Sequence, residues 1–393
     1  MKRTLSLVLS LALTSTTLAN DPPSIYACGP TPATQPAAAA TKPLIQMAIL
    51  LDTSNSMDGL IDQARSQLWK VVNELATTKR DGQSPMLEVA LYEYGNSRLN
   101  AGEGYVRMVL PLTGDLDAVS EKLFALSTNG GDEYCGWVIK SAAEGLKWSD
   151  AKDAYKVIFV AGNEPFSQGS VDYRSACATA IARGIMVNTI HCGDEATGIQ
   201  TGWQEGAKLA DGSFMCIDQN RAVVAISAPQ DDEIATLSTA LNTTYLAYGA
   251  EGDEYALRQV EQDVAAASQP AAAAAGAPVQ RALAKASGLY RNSNWDLVDA
   301  MKDGNVKLED LKTEELPEAM RDLKPEERKA YVEEQGKKRE EIQKEIHTLN
   351  ADREKFVAEK RKQQVGEKGD TLDEAMINAV REQVSAKQFE TSK

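Results

Sequence analysis

The chain has 393 residues, a formal net charge of −15 at pH 7 and 43% hydrophobic residues. That length allows two or three domains at ~150 residues per domain, and the apolar content is sufficient for at least one sizeable core. The negative charge excludes an electrostatic interface for nucleic acid and disfavours anionic membrane surfaces. We therefore expect divalent cations and cationic partners.

Residues 1–19 have the pattern of a bacterial secretory signal peptide. Lys2 and Arg3 precede an apolar run, and the small residues Thr17 and Ala19 precede the expected cleavage point. An uncleaved N-terminal anchor is the alternative, but the run is shorter than the ~20 residues that span a bilayer, and no second such run follows. We expect a periplasmic or secreted protein with no transmembrane segment in the mature chain.

The chain has five cysteines, which export would place in an oxidising compartment. An odd count leaves at least one thiol without a partner in the chain. Cys192 and Cys216 end candidate neighbouring strands and are the preferred disulfide pair. Lipid attachment at Cys28 is disfavoured, because a polar break separates this residue from the apolar run. The chain has no CxxC motif and its two histidines are far apart, which disfavours a zinc site.

Residues 20–43 are rich in Pro, Ala and Thr and predict a disordered leader. From residue 44 onward, apolar stretches typical of strands alternate with stretches of helical periodicity. The predicted strands cover residues 44–51, 86–94, 105–112, 156–161, 185–191 and 213–217. The predicted helices cover residues 60–76, 116–126, 134–147, 171–183, 202–209 and 231–241. Pro111 marks the third strand as an edge strand. The alternation predicts a doubly wound, mostly parallel α/β sheet over residues 44–249.

The remainder of the chain differs in composition. Residues 250–280 predict a helix and an Ala- and Pro-rich linker, and residues 281–393 predict a separate, charged α-helical region. In that region the apolar side chains are spaced like a short heptad seam at Ile342, Ile346, Leu349 and Phe356. A coiled coil or hairpin that brings copies together is one interpretation. Because the seam is short, a long solvated helix with many charge pairs is the preferred alternative.

The carboxyl end of the first strand carries a DxSxS motif formed by Asp52, Ser54 and Ser56. In such sheets ligands bind outside the carboxyl ends of the strands, so we expect the loops at 128–133 and 162–164 to approach the motif. One carboxylate and two hydroxyls are oxygen ligands that suit Mg²⁺. The alternative is that one of these side chains only caps the following helix. The position after a buried strand favours the metal.

Residues 44–249 resemble a von Willebrand factor type A (vWA) domain. The metal-ion-dependent adhesion site of that family combines DxSxS with a Thr or Asp on a second loop and an Asp after the fourth strand. The resemblance implies that Asp132 or Glu133 is the metal ligand of the second loop. The alternative is that both residues only belong to a solvated loop.

The third loop departs from the family pattern. Gly162 stands where the family has its aspartate. Asn163 and Glu164 are adjacent and would substitute for that aspartate, directly or through water. The alternative is that both residues only form a turn before Pro165.

The resemblance implies recognition rather than catalysis. The domain would hold a divalent cation, Mg²⁺ with Mn²⁺ or Ca²⁺ as alternatives, and a protein ligand would complete the site with a carboxylate. No nucleophile with an oriented base is evident, and His191 is interpreted as a packed residue. We expect an exported, non-enzymatic binding or scaffold protein. A structural cell-envelope protein with a decayed metal site is the alternative, and a hydrolase that uses Asp132 or Glu133 with the metal is less favoured.

Overall fold

The structure is a computed structural model, and it describes residues 42–221, 224–363 and 371–391. The expected signal peptide, Cys28 and nearly all of the expected leader lie outside these residues. No helix in the described ranges is both long and apolar enough to cross a membrane.

A mixed sheet forms the centre of the described part of the chain. The strands are β1 (Leu44–Asp52), β2 (Thr78–Lys79), β3 (Met86–Tyr94), β4 (Val106–Thr113), β5 (Tyr155–Gly162), β6 (Met186–Cys192), β7 (Phe214–Ile217) and β8 (Glu390–Thr391). Six of them form one sheet in the order β4-β3-β1-β5-β6-β7, while β2 pairs with β8. Only β4 of the six runs antiparallel to its neighbour. It lies at an edge, as Pro111 predicts.

Helices connect the strands and continue beyond the last strand of the large sheet. They are α1 (Asp58–Ala76), α2 (Leu116–Ala125), α3 (Cys135–Gly145), α4 (Tyr173–Ala182), α5 (Glu195–Gln200), α6 (Trp203–Leu209), α7 (Asp231–Asn242), α8 (Gly252–Ser268), α9 (Pro270–Ala274), α10 (Ala277–Ala286), α11 (Leu297–Lys302), α12 (Pro325–Gln363) and α13 (Leu372–Ala386). Each predicted helix of residues 44–249 is present. The predicted α/β fold class, with helices after it, is confirmed.

The side chains of β1 divide between two hydrophobic layers. Met47, Ile49 and Leu51 point into the layer that includes α1, α2 and α13, whereas Ala48 and Leu50 point into the layer that includes α3, α4 and α6. This division follows from the two-residue period of a strand. Since both faces are covered, β1 is apolar almost throughout, and its carboxyl end at Asp52 lies in the middle of the sheet edge.

The C-terminal helix α13 belongs to the same core as the sheet. Met376 and Val380 are buried in the layer on α1. The side-chain oxygen of Gln383 accepts hydrogen bonds from the Tyr155 hydroxyl at 2.7 Å and from the Asn188 amide at 3.0 Å. Helix α13 therefore belongs to the α/β core, which differs from the separate region expected from composition, whereas α11 and α12 pack in other clusters.

The Ala- and Pro-rich stretch expected to be a linker forms α9 and α10, and α10 packs on α1. Arg281 of α10 is 1% exposed and lies between Asp117 of α2 at 2.6 Å and Asp263 of α8 at 2.5 Å. Its guanidinium also lies 4.7 Å from the Trp69 ring centroid. Because a buried charge without its partners is strongly destabilising, these contacts fix α10 relative to α2 and α8.

The apolar seam of α12 packs within the chain. Ile342 and Ile346 are buried in a cluster with α7 and α10, and Leu349 packs against the same cluster. Arg339 of α12 also pairs with the buried Asp296 at 2.7 Å. These seam residues are therefore covered by the chain itself and do not present a free stripe to a second copy.

The preferred disulfide between Cys192 and Cys216 is not formed in the structure. In the register of β6 and β7, Cys216 lies beside His191 and Cys192 lies beside Ile217. Successive side chains of a strand point to opposite faces, so the two thiols lie on opposite faces of the sheet. Neighbouring strands were predicted correctly, but the pairing was not.

Truncation of Met376 to alanine should destabilise the whole α/β core. Met376 is 3% exposed, so we expect the free energy of unfolding to fall by about 2 to 5 kcal/mol. Asn378→Ala, at an exposed position of α13, is the matched control, with a change of less than about 0.5 kcal/mol. Urea unfolding followed by circular dichroism measures both. An unchanged main transition for Met376→Ala would show that α13 is not part of the core.

Candidate metal centre

The DxSxS motif lies where β1 passes into α1. The backbone N–H of Ser54 donates to Asp52 Oδ1 at 2.8 Å, and the hydroxyl oxygens of Ser54 and Ser56 are 3.4 Å apart. Asp52 and Ser54 are buried, while Ser56 is exposed. Met57 is the N-cap of α1, and neither Met57 nor Ser54 makes a side-chain cap hydrogen bond. The motif therefore gathers one carboxylate and two hydroxyls without capping the helix.

The second loop brings Glu133 to the motif. Glu133 is 7% exposed, and its backbone N–H donates to Gln168 Oε1 at 3.1 Å. Gly95 separates its side chain from Asp52, because a Cβ atom on Gly95 would lie 2.8 Å from both Asp52 Oδ1 and Glu133 Cγ. The φ angle of Gly95 is +78°, in the left-handed region that favours glycine. Glycine is thus required for the close approach of the two acidic side chains.

Asp132, the other second-loop candidate, points elsewhere. Its side chain is exposed and accepts a hydrogen bond from the Tyr134 hydroxyl at 3.2 Å. Thr128, earlier in the same loop, donates to the Asp58 carboxylate at the start of α1. Of the two acidic residues expected on this loop, the structure therefore brings Glu133 and not Asp132 to Asp52.

The third loop lies against Ser56. Asn163 Nδ2 donates to Ser56 Oγ at 3.3 Å, and Asn163 Oδ1 is buried without a hydrogen-bond partner. The carbonyl of Glu164 accepts from the Trp203 indole at 2.9 Å, which holds this loop on α6. The Glu164 carboxylate acts on the pKa of both Asp52 and Glu133. The structure therefore brings together six of the seven predicted residues.

The hydroxyl of Tyr94 leaves no room for a side chain at Gly162. A Cβ atom on Gly162 would overlap the Tyr94 hydroxyl oxygen and lie 3.1 Å from Asp52 Oδ2. Tyr94 is fully buried and its hydroxyl donates to the Ala161 carbonyl at 3.0 Å. Burial raises the pKa of Tyr94 well above its usual range, so the group remains a neutral donor. The third loop has no room for an aspartate side chain while Tyr94 keeps this position.

The acidic groups have strongly raised pKa values. Burial, and next the charge of Glu164, raises the pKa of Asp52 to about 7. Burial, and next the charges of Asp52 and Glu164, raises the pKa of Glu133 to about 8. No cationic side chain is among the principal influences on Asp52. Near neutral pH Glu133 is therefore mostly protonated and Asp52 about half protonated, and a bound cation would be needed to hold both groups ionised.

The donor set fits a hard divalent cation. Asp52 Oδ2 and Asn163 Oδ1 are buried with no hydrogen-bond partner, and such atoms are costly unless they are paired. Carboxylate, hydroxyl and amide oxygens are the ligands that Mg²⁺ and Ca²⁺ prefer. Within the described residues, no group of three or more His, Cys, Asp or Glu is placed to hold a metal ion. Serine and asparagine oxygens would therefore have to complete the ligand set.

Two residues of the centre were missed by sequence reasoning. Tyr94 ends β3 and Gly95 follows it, and Tyr94 lies in register with Asp52 on the neighbouring strand. The sequence did predict that this strand ends at the same edge of the sheet as β1. Without the order of the strands, however, it could not show that the two ends are neighbours. His191, by contrast, is 2% exposed beside Trp203, with ring centroids 5.6 Å apart, as expected of a packed residue.

Gly162→Ala should destabilise the protein through its clash with Tyr94. Overpacking of this kind costs about 1 to 3 kcal/mol. In a Tyr94→Phe background the cost should fall by about 1 kcal/mol or more, since contacting residues couple to that extent. Urea unfolding of the four variants of this double-mutant cycle measures the coupling. Additive effects would mean that the Tyr94 hydroxyl does not fill the space beside Gly162.

In chelator, the free energy of unfolding should fall as pH rises through neutrality. Asp52 and Glu133 have folded-state pKa values of about 7 and about 8, above the values near 4 of an unfolded chain. Their contribution is fully present below the unfolded pKa and is lost as pH rises through the folded pKa. Asp52→Asn should therefore flatten the decline between about pH 5 and 8 by a few kcal/mol. Unfolding curves at several pH values measure this slope. Equal slopes for the unaltered protein and Asp52→Asn would contradict the raised pKa of Asp52.

No family model matches the chain, and no curated protein matches it. Three solved structures to which it is similar are a conserved hypothetical protein, BatB, from Bacteroides thetaiotaomicron, an aerotolerance-related membrane protein from Bacteroides fragilis, and the SpRpn10 VWA domain. Their identities to this chain are 18%, 19% and 15%, and their TM-scores are 0.34, 0.31 and 0.32. Each similarity covers 44% of this chain, and 90%, 92% and 85% of the respective structures.

The topology of the sheet and the position of the motif identify the fold class directly. A mostly parallel six-stranded sheet with one antiparallel edge strand is covered by helices on both faces. The DxSxS motif follows its central strand, β1. The chain therefore contains a vWA-like α/β domain.

Proposed function

We propose that this chain is an exported, non-enzymatic binding or scaffold protein whose vWA-like domain holds a divalent cation and engages a protein ligand through it. The observation that carries the proposal is Asp52 Oδ2, which is buried and unpartnered beside the charges of Glu133 and Glu164. Uncompensated buried charge is costly, and a bound cation would relieve it.

Asp52, Ser54 and Ser56 are the proposed primary ligands, and Mg²⁺ is the proposed ion, with Mn²⁺ or Ca²⁺ as alternatives. Glu133 and the third-loop pair Asn163 and Glu164 would bind directly or through water, as Mg²⁺ usually keeps several waters. When bound, the cation would offset the negative charge and offer a coordination position to an oxygen of the ligand.

The exposed side of the centre supports a protein ligand. Asn55 and Ser56 are exposed, as are Gly131 and Asp132 across the site, whereas Asp52 lies beneath them. A macromolecule would thus reach the centre only with a projecting side chain, and a carboxylate is the chemistry that suits a cation. The vWA-like domain supports a role in protein interaction, and the signal-peptide pattern of residues 1–19 supports export.

One observation favours a second candidate, a structural cell-envelope protein with a decayed metal site. The Tyr94 hydroxyl occupies the space that a side chain on Gly162 would need. If protons alone neutralise the Asp52 and Glu133 carboxylates, whose pKa values are raised, the domain would stay folded without metal. The two candidates differ in whether the protein binds divalent cations saturably.

Comparison of Glu133→Gln with Asp132→Asn should show which acidic residue of the second loop contributes to cation binding. The first removes a charge beside Asp52, and we expect Mg²⁺ and Mn²⁺ affinity to fall about 10- to 100-fold, as for other residues that support a metal site. The second removes an exposed charge directed away from Asp52 and serves as the matched control, with affinity nearly unchanged. Isothermal titration calorimetry with Mg²⁺, Mn²⁺ and Ca²⁺ makes the comparison.

Asp52→Ala should abolish the saturable heat altogether. Absence of saturable heat in the unaltered protein would favour the structural candidate. Equal losses for Glu133→Gln and Asp132→Asn would contradict the assignment of Glu133 to the centre.

A further inference from the structure

Two half-exposed tyrosines border the candidate metal centre. The rings of Tyr105 and Tyr134 meet edge to face, with centroids 5.8 Å apart and planes inclined by 63°. Tyr134 directly follows Glu133, so the pair stands beside the second loop. Aromatic rings that remain partly exposed next to a binding site are available to a ligand.

Both rings are held in place by the surrounding backbone. Tyr105 has a φ angle of +52°, which is uncommon for an aromatic residue, and its N–H donates to the Asn100 carbonyl at 3.1 Å. Its own carbonyl accepts from the Gly95 N–H at 3.1 Å, next to Asp52. Tyr134 packs on Gly169, where a Cβ atom would lie 2.6 Å from the ring. These contacts fix the backbone at Tyr105 and one face of the Tyr134 ring, while both rings stay partly exposed.

An exposed carboxylate adjoins the rings. Asp132 accepts a hydrogen bond from the Tyr134 hydroxyl at 3.2 Å, which places its negative charge beside the aromatic pair. Aromatic faces and carboxylates both attract ammonium and guanidinium groups. None of the seven cation–π contacts in the described ranges involves Tyr105 or Tyr134, so no described cation of the chain occupies these rings.

We propose that Tyr105, Tyr134 and Asp132 form an aromatic–acidic ledge that binds a lysine or arginine side chain of the protein ligand. The inference rests on the proposed function, because the same ligand would place a carboxylate at the metal centre. The ligand is then a segment that presents an acidic and a basic side chain close together. The net charge of −15 is consistent with selection for a basic group outside the metal centre.

Selection from a library of short random peptides tests the ledge. The mature chain is presented with the library in Mg²⁺ or Mn²⁺ and again in chelator. We expect the metal-dependent peptides to share an acidic residue and, at a fixed separation from it, a lysine or arginine. For a recovered peptide, replacement of that basic residue by glutamine should weaken binding about tenfold, in the range of a desolvated cation–π contact.

Variants of the ledge should lose this preference and keep the metal dependence. Tyr134→Leu and Tyr105→Leu should bind the basic and the glutamine peptide equally. Asp132→Asn, at an exposed position that does not threaten folding, should reduce the difference between the two peptides. Tyr255→Leu removes a half-buried ring on α8 and is the control that should retain the full difference.

The outcomes distinguish the two proposals. Metal-dependent peptides that share an acidic residue but no basic one would overturn the ledge and leave the proposed function standing. A preference for lysine or arginine that survives both Tyr134→Leu and Asp132→Asn would also overturn it. If no peptide depends on metal, the proposed function fails and the ledge fails with it.

Discussion

The carboxylate of Asp52 imposes the constraint on which the arrangement of the sheet edge depends. It is fully buried at the end of the central strand; Oδ1 accepts from Ser54, and Oδ2 has no partner. Glu133 and Glu164 add like charge from two other loops. A buried charge without compensation costs several kcal/mol, so the site must take up either protons or a cation. The oxygen-rich donor set and the exposed Ser56 support our proposal that a divalent cation fills this role.

The third loop carries glycine where an aspartate was expected, and the structure shows a steric reason for it. Tyr94 lies in register with Asp52, and its hydroxyl excludes a side chain at Gly162. Glu133 on the second loop approaches Asp52 across Gly95 and supplies an acidic group there. Tyr94 and Gly95 are consecutive. The Tyr94 hydroxyl leaves no space for a carboxylate side chain at position 162, whereas the missing side chain of Gly95 leaves space for the Glu133 carboxylate. Two acidic side chains, Asp52 and Glu133, thus lie beside the proposed ion, which is compatible with Mg²⁺ because proteins usually bind it through one or two carboxylates.

Much of the α/β domain could be predicted because buried parallel strands are apolar throughout and their helices show one apolar face. The choice between Asp132 and Glu133 could not, since adjacent loop residues differ only in the direction that the backbone gives them. The disulfide prediction failed because strand register, and not sequence separation, sets which face Cys192 and Cys216 occupy. The role of Tyr94 required the order of the strands.

The Ala- and Pro-rich composition within residues 250–280 led to the wrong prediction of a linker. Pro270 and Pro278 lie in the first turns of α9 and α10, where proline suits a helix, and Ala272, Ala275 and Ala277 between them are buried. The apolar spacing on α12 was noted but a solvated helix was preferred, whereas Ile342 and Ile346 are covered by α7 and α10. In both cases the sequence showed an apolar surface without showing which surface would cover it.

Anomalous diffraction from crystals grown with Mn²⁺ tests the central claim most directly, because it locates the ion without reference to activity or ligand. The account predicts one strong manganese peak within coordination distance of Asp52 Oδ2 and the hydroxyls of Ser54 and Ser56, and its absence from Asp52→Asn crystals. A structure in which Asp52 remains buried with no peak beside it, or with the only peak at another position, would contradict the account.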